Sequence, residues 1–197
     1  ELGEQQIVDN AQALIANTDA EAASLVSLYG AKPEKVHVIA PGVDLEQFSS
    51  TTKQQNDKLK ISFVGRIQPH KGPEVLVRAA AEVIKLAPQL RTKLEVAIMG
   101  DNSGAGHNEL EKLKNLVKFL KIEDVVHFVA PVKRSELADW YRSCDLIAMP
   151  SYSESFGLVA LEAQACGTPV IASAVGGLRT AIADGISGVL VDGHDPV

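Results

Sequence analysis

Short apolar runs alternate with longer amphipathic segments from Leu59 to the end of the chain. Each run spans four to six residues, which suits a strand, and the segments between the runs repeat apolar residues at helical spacing. Nearly continuous apolar strands separated by helices are typical of parallel sheets buried on both faces. The pattern therefore predicts an α/β fold with a doubly wound, parallel, six-stranded sheet. The strands are predicted at 61–64, 94–99, 125–129, 146–149, 169–172 and 188–191, and the helices at 73–86, 108–120, 135–143, 157–165 and 178–183.

Residues 1–45 have a helix, strand, helix, strand order of their own. Thr18 and Glu21 fit a capping box at the start of the second helix, and Gly30 is a typical stop at its end. Two strands cannot form a stable sheet alone, so we expect this segment to be the tail of a preceding α/β domain. The first helix is predicted at 2–14 and the strands at 14–16 and 36–39.

Residues 46–58 are predicted to be a linker between that tail and the main domain. The stretch 49–58 is polar and lacks periodicity, which favours a linker or loop. Residues 59–197 would then form the main domain, and we expect this domain to be incomplete at its carboxyl end.

The composition fits a globular protein and excludes several classes. The apolar content of 46% is enough for a core, and a net charge of -6 argues against a nucleic-acid binder. No apolar run approaches the length of a membrane span. Cys144 and Cys166 stand apart in apolar segments, which predicts buried free thiols in a reducing compartment.

Loops that follow the strands of a parallel sheet meet at one edge, where such folds bind ligands. The first loop, after strand 61–64, places Arg66 and Lys71 between Gly65 and Gly72. Two cations and two glycines before a helix suit a diphosphate, because the helix terminus adds partial positive charge. An ordinary surface loop with solvated cations is the alternative.

The fourth loop, which runs from Ser151 into the helix at 157–165, carries two acids. Glu154 precedes the helix, whereas Glu162 lies within it among apolar residues and needs a partner. Ribose hydroxyls would be one such partner, and a structural salt bridge is the alternative. The free amides at the helix start, near Gly157, also offer an anion site.

The other three loops are less informative. The second, 100–107, is rich in glycine but lacks the Gly-x-Gly-x-x-Gly spacing of dinucleotide sites, so an NAD site is disfavoured. The third, 130–134, precedes a helix cap expected at Ser135 and could present backbone groups to a base. The fifth contains Gly176 and Gly177, for which a simple turn before a helix is the alternative.

The sequence predicts no metal site, because its five histidines lack ligand spacing and it contains no Asp-x-Asp motif. A Gly-x-Ser-x-Gly nucleophile motif is also absent.

Taken together, these motifs resemble the donor-binding domain of the family 4 retaining glycosyltransferases with the GT-B fold, also described as glycosyl transferases group 1. Within that family, the stretch 151–170 is most similar to D-inositol-3-phosphate glycosyltransferases, with sucrose-phosphate synthases and mannosyltransferases as relatives. The resemblance implies that the six-stranded sheet is the Rossmann-like, C-terminal half of the GT-B fold. The matching stretches are Gly65-Arg66, Lys71-Gly72, Glu154 to Glu162, Gly167 to Ala172, Gly176-Gly177 and, at the interdomain crossover, Val36 to Asp44.

The resemblance also implies a role for each matching residue. Arg66 and Lys71 would hold the donor diphosphate, and Glu154 would face the transferred sugar; these three form the expected catalytic set. Glu162 would bind the ribose hydroxyls. The remaining donor-binding residues would be Gly65, Val132, Lys133, Arg134, Ser155, Phe156, Gly157 and Leu158.

The implied reaction moves a sugar from a nucleotide-sugar donor, expected to be a UDP-sugar, to an acceptor with retention of configuration. The donor is a substrate, and no cofactor is expected. A small-molecule, lipid-linked or carbohydrate acceptor would bind a domain outside this chain, so we expect the chain alone to bind nucleotide without transferring sugar. We expect a cytoplasmic protein, with peripheral membrane association and homo-oligomer formation left open. A non-catalytic nucleotide-binding module and a GT-B-type epimerase are the alternative functions.

Overall fold

The computed structural model describes residues 2–51, 56–101 and 108–196. Within these ranges the chain forms seven α-helices, eight strands and four short 3-10 helices. The helices are α1 (Leu2–Asn10), α2 (Asp19–Tyr29), α3 (Pro73–Leu86), α4 (Glu109–Leu120), α5 (Leu137–Ser143), α6 (Leu158–Ala165) and α7 (Leu178–Ala181). The strands are β1 (Leu14–Ala16), β2 (Val36–Val38), β3 (Leu59–Val64), β4 (Leu94–Met99), β5 (Val126–Val129), β6 (Leu146–Met149), β7 (Val170–Ser173) and β8 (Gly188–Val191).

The predicted six-stranded parallel sheet is confirmed, with the strand order β5-β4-β3-β6-β7-β8. The chain builds outwards from β3 to β5 on one side, then returns and builds outwards from β6 to β8 on the other. The order therefore reverses between β3 and β6. A reversal of this kind opens a crevice beyond the carboxyl ends of the two central strands. The loops that follow β3 and β6 are the two that the sequence singled out for Arg66, Lys71 and Glu154.

Two hydrophobic cores cover the two faces of this sheet. Successive side chains of a strand point to opposite faces. In β6, Ile147 and Met149 belong to the core under α5, α6 and α7, whereas Ala148 belongs to the core under α3 and α4. Both faces are apolar along the central strands, and this explains why the strands appear in the sequence as nearly continuous apolar runs.

The N-terminal segment forms a separate two-stranded parallel sheet from β1 and β2, packed against α1 and α2. The capping box predicted for α2 is present in a modified form. The Thr18 hydroxyl accepts from the Glu21 amide at 3.1 Å, but the Glu21 carboxylate accepts from the amide of Asn17, at 2.7 Å, rather than from that of Thr18. Gly30 ends the helix in the left-handed conformation, with φ of 66°. The pairing of this small sheet with further strands stays a prediction.

The predicted linker 46–58 is anchored to the main domain at its start. The Phe48 side chain is fully buried, and its ring centroid lies 6.1 Å from that of Tyr141. The Ser49 carbonyl accepts from Arg142 Nε at 2.8 Å. Residues 48–49 of the predicted linker therefore pack against the main domain, because one aromatic residue in a polar stretch inserts into the core. The division of the chain into tail, linker and main domain stays a prediction. Residues 52–55 of the predicted linker lie outside the described residues.

Several predicted boundaries also shift. The first helix ends at Asn10 instead of residue 14, and the last ends at Ala181 instead of residue 183. Ser135 is not a helix cap, since it lies inside a 3-10 turn, Arg134–Glu136, whose start is capped by the Glu136 carboxylate accepting from the Lys133 amide at 3.1 Å.

Both cysteines are buried and free, as predicted, and burial raises the pKa of each thiol. Among the helices of the described ranges, none combines the length and apolarity that a bilayer crossing needs.

Candidate functional site

A cleft of about 440 Å³ lies at the carboxyl ends of β3 and β6. We call it the switch-point cleft, because the strand order reverses there. Eight of the twelve predicted site residues line it, and four do not. The eight are Gly65, Arg66, Lys71, Glu154, Ser155, Phe156, Gly157 and Leu158, and the four are Val132, Lys133, Arg134 and Glu162.

The loop after β3 is held rigidly on both sides of Arg66. The Gly65 amide continues the sheet by donating to the Met99 carbonyl at 3.0 Å, and the Ile67 amide donates to the Asp101 carbonyl at 3.1 Å. Ile67 itself is buried, so the exposed Arg66 side chain stands between two anchored neighbours at the cleft. Within the described part of the chain, Arg66 forms no salt bridge. Its charge is therefore available to an anionic ligand.

The same loop reaches α3 through Gly72. This residue has a left-handed φ of 65°, and a Cβ there would lie 2.1 Å from the Pro150 carbonyl oxygen. Only glycine permits so close an approach between the loop after β3 and the end of β6. The approach brings Lys71 beside the loop after β6, which runs from Ser151 to Gly157 and carries Glu154. We call this segment the acidic loop.

Lys71 and Glu154 form an ion pair across the switch-point cleft, with 2.7 Å between Nζ and Oε2. Their side chains are only 19% and 13% exposed, so water screens this pair less than a surface pair. The sequence predicted each residue for the site but not their contact with each other. An anion that enters the cleft must compete with Glu154 for the Lys71 ammonium.

The loop after β6 is supported from behind by the glycine pair before α7. The Gly177 amide donates to the Glu154 carbonyl at 2.9 Å. A Cβ on Gly176 would lie 2.1 Å from the Glu154 carbonyl oxygen, and one on Gly177 would lie 2.2 Å from that of Ser155. The glycine pair is therefore more than a simple turn, because the backbone of the acidic loop rests directly on it.

Helix α6 begins at the floor of the cleft. Gly157, at its N-cap, has a left-handed φ of 97°, and Phe156 is buried beneath the loop. The first amides of a helix have no partner within the helix and carry partial positive charge. Leu158 and Val159, which line the cleft, contribute two of these amides.

Glu162 has an internal partner that the sequence did not suggest. Its Oε2 accepts from the hydroxyl of Tyr141 at 2.8 Å. Tyr141 is fully buried, and burial raises the pKa of its hydroxyl, with the neighbouring carboxylate raising it further. The partner is thus a neutral donor rather than the cation of a salt bridge.

Two of the backbone groups that were predicted to contact a base, in the loop after β5, already have partners within the protein. The Lys133 amide donates to Glu136, and the Arg134 carbonyl accepts from the side-chain amide of Gln47. This loop does not line the switch-point cleft. The base contacts expected of Val132, Lys133 and Arg134 therefore stay a prediction. The second loop lies largely outside the described residues, at 102–107.

Sequence reasoning missed two residues of the N-terminal segment that line the cleft, Asn17 and Pro41. Asn17 directly follows β1, so the rule that ligand-binding loops follow parallel strands could have identified it. Ser151, also in the lining, was noted only as the start of the acidic loop. Over the described residues, no group of three or more His, Cys, Asp or Glu side chains is arranged to hold a metal ion.

Comparison with known families agrees with the fold. Residues 45–196 match the family model described as "Glycosyl transferases group 1", and residues 2–47 match "Glycosyltransferase Family 4". The chain belongs to the glycosyl transferases group 1 family, which confirms the resemblance seen in the sequence motifs.

Individual relatives cover nearly the whole chain. The chain is 56% identical to D-inositol 3-phosphate glycosyltransferase 2 of Catenulispora acidiphila, over 99% of this chain and 48% of that protein. It superimposes on sucrose-phosphate synthase from Thermosynechococcus elongatus with a TM-score of 0.87 and 32% identity, covering 99% of this chain and 49% of that one. Anabaena HepE in complex with UDP and glucose has the same fold, with a TM-score of 0.86 and 24% identity over 99% of this chain and 53% of that one. The chain spans about half the length of the curated relatives it matches.

Proposed function

We propose that the switch-point cleft binds the diphosphate of a nucleotide-sugar donor, and that the chain is the donor-binding part of a retaining glycosyltransferase. One observation carries the proposal: Arg66 and Lys71 stand on the loop after β3, directly opposite Glu154 on the loop after β6. Cations on one wall and an acid on the other match a ligand with phosphates at one end and hydroxyls at the other.

The Lys71–Glu154 ion pair allows Lys71 to exchange its carboxylate partner for a phosphate group. When a diphosphate enters, the Lys71 ammonium leaves the carboxylate and pairs with a phosphate oxygen. The freed Glu154 carboxylate then accepts hydrogen bonds from hydroxyls of the sugar. Arg66 and the first amides of α6 supply further positive charge without having to leave a partner.

The same groups would serve the chemical step. As the bond between the sugar and the diphosphate breaks, negative charge grows on the leaving diphosphate. Fixed cations in a partly enclosed cleft stabilise that charge better than water does, because they are already oriented. Charge stabilisation by Arg66, Lys71 and the first amides of α6 uses neither a metal ion nor a protein nucleophile from the described residues.

The identities of donor and acceptor are proposed from the relatives. The HepE structure holds UDP and glucose, which supports a UDP-sugar, such as UDP-glucose or UDP-N-acetylglucosamine. The name of the relative at 56% identity supports D-inositol 3-phosphate as the acceptor. We propose that acceptor binding requires chain outside the 197 residues, so that this chain alone binds the donor without transferring sugar.

Two measurements test these assignments. UDP should raise the melting temperature of the chain; a ligand at a hundred times its Kd adds about 2.7 kcal/mol of stability. UMP, which lacks the second phosphate, should raise it less, and GDP and ADP serve as controls for the base. A failure of all these nucleotides to stabilise the chain would disprove the cleft assignment.

A longer protein carrying this chain should form a glycosylated inositol phosphate from a UDP-sugar, whereas an epimerase would return only an isomeric sugar nucleotide.

We expect Glu154→Gln to bind UDP more tightly than the parent chain. UDP lacks the transferred sugar that Glu154 is proposed to contact, and the glutamine cannot hold the Lys71 ammonium as a counter-ion. A partly exposed ion pair is worth about 1 kcal/mol, which corresponds to roughly fivefold in the Kd of UDP. Isothermal titration calorimetry measures this change directly.

The matched control for this variant is Glu111→Gln on α4, which removes the same charge from a surface pair with Lys114. It should leave the Kd of UDP unchanged. Weaker UDP binding by Glu154→Gln would show that the carboxylate does not compete with the diphosphate for Lys71.

A further inference from the structure

Tyr141, on helix α5, contacts the predicted ribose-binding acid Glu162. Its ring is fully buried and contacts Phe48 on one side, while its hydroxyl donates to Glu162 Oε2 at 2.8 Å. A buried hydroxyl needs a hydrogen-bond partner, and a carboxylate is among the strongest acceptors that a protein offers. No feature of the site described so far explains why a buried tyrosine is paired with this acid.

The backbone around Tyr141 is fixed, so the hydroxyl cannot adapt freely to its acceptor. The Thr168 hydroxyl donates to the Tyr141 carbonyl at 2.7 Å, joining α5 to the turn between α6 and β7. The neighbouring Trp140 donates from Nε1 to the buried Ser62 hydroxyl of β3 at 3.1 Å. Both contacts tie α5 to the elements that frame the cleft. The position of the Tyr141 hydroxyl therefore determines where one oxygen of Glu162 must lie.

Glu162 stands one turn beyond Leu158 on α6, at the i+4 position, and therefore on the same helix face. Leu158 lines the switch-point cleft. Side chains of a helix lean towards its N-terminus, so the Glu162 side chain leans towards the turn that begins at Leu158, although Glu162 itself does not line the cleft. With Oε2 held by Tyr141, Oε1 is the carboxylate oxygen left for a ligand hydroxyl.

We propose that Tyr141 is a positioning residue, which fixes the Glu162 carboxylate so that its second oxygen accepts hydrogen bonds from the ribose of the nucleotide. This inference rests on the proposed donor site. Tyr141 itself contacts neither the sugar nor the phosphates of the donor. It limits the rotation of Glu162, the acid proposed to bind the ribose. Because burial raises the pKa of its hydroxyl, Tyr141 remains a donor to the carboxylate throughout the physiological pH range.

The test is the preference for UDP over 2′,3′-dideoxy-UDP, which lacks both ribose hydroxyls, measured by calorimetry on the chain. Tyr141→Phe keeps the ring and removes only the hydroxyl. We expect the preference for UDP to fall about fivefold to tenfold in this variant, while the Kd of dideoxy-UDP stays unchanged. This is less than the roughly tenfold to hundredfold of a lost hydrogen bond to a charged group, because the Glu162 carboxylate itself remains. Glu162→Gln should reduce the same preference, and the double variant should add little to the larger single effect, because both residues act through one contact.

A matched control separates positioning from loss of stability. Gln164→Met, on the same helix, loses side-chain bonds to the Ala160 and Ala181 carbonyls but leaves the Tyr141–Glu162 pair intact. It should lower the melting temperature and leave the ribose preference unchanged.

The possible results distinguish this inference from the function on which it rests. If Glu162→Gln loses the ribose preference but a folded Tyr141→Phe keeps it, the positioning role is wrong and the donor site stands. If Glu162→Gln also keeps the preference while UDP still binds, the ribose assignment of Glu162 is wrong, and the role of Tyr141 falls with it. A parent chain that binds neither nucleotide would overturn the donor site itself.

Discussion

Replacing Lys71 by alanine should weaken UDP binding about a hundredfold, the equivalent of about 2.8 kcal/mol. One part of this loss is the charged hydrogen bond to a phosphate oxygen, for which about 1.5–3 kcal/mol is typical. The other part comes from Glu154, whose carboxylate loses its counter-ion at 2.7 Å and then faces the diphosphate unneutralised. Titration calorimetry at constant ionic strength measures the change in Kd.

Two further variants make this prediction specific. Lys112→Ala on α4 removes the same charge from an exposed surface pair with Glu109 and should leave UDP binding unchanged. The double variant Lys71→Ala with Glu154→Gln removes both charges, so it should recover part of the lost affinity. UDP affinity equal to that of the parent in Lys71→Ala would place the diphosphate somewhere other than the switch-point cleft.

Most of the fold could be predicted from the sequence, because local pattern and tertiary burial agree in the main sheet. The observed bounds of α3, β4, β6 and β8 equal those predicted from apolar runs. Charged residues, glycine or proline flank β4 and β6 on both sides, so the change in pattern is abrupt there. The placement of the first and fourth loops at one edge follows from parallel pairing alone.

The contacts between the site residues could not be predicted in the same way. Lys71 and Glu154 are 83 positions apart, and Tyr141 and Glu162 are 21 apart. Which oxygen meets which donor depends on loop paths that the apolar pattern does not encode. The sequence therefore predicted eight of the residues that line the cleft, whereas their pairing had to come from the structure.

Phe48 and the loop after β5 illustrate a second limit of prediction from the sequence pattern. A single aromatic residue in a polar stretch gives no periodic signal, yet its burial fixes the start of the predicted linker. The Arg134 carbonyl was predicted to face a base, and its bond to Gln47 spans 87 positions of sequence. Long-range contacts of isolated side chains are therefore where pattern-based prediction ends.

The glycine pair Gly176-Gly177, which supports the acidic loop, is where we expect the second large effect, a loss of stability on substitution. Gly177→Ala should destabilise the fold by about 3 kcal/mol, the upper part of the range for overpacked positions. Gly177 has an ordinary helical φ of -68°, so alanine carries no backbone penalty there. The cost comes from space alone, since a Cβ would lie 2.2 Å from the Ser155 carbonyl oxygen and 2.3 Å from Phe156 Cα. For a chain of this size the melting temperature should fall by about 6–12 °C.

The same substitution should also weaken the site, because the loop must move for the new methyl group to fit. That movement would break the bond from the Gly177 amide to the Glu154 carbonyl and shift Glu154 away from Lys71. Gly42→Ala is the matched control, since a Cβ at Gly42 meets no atom within 4 Å and its φ is not left-handed. An unchanged melting temperature in Gly177→Ala would mean that the acidic loop moves without cost. In that case the glycine pair would not be what holds Glu154 opposite the cations.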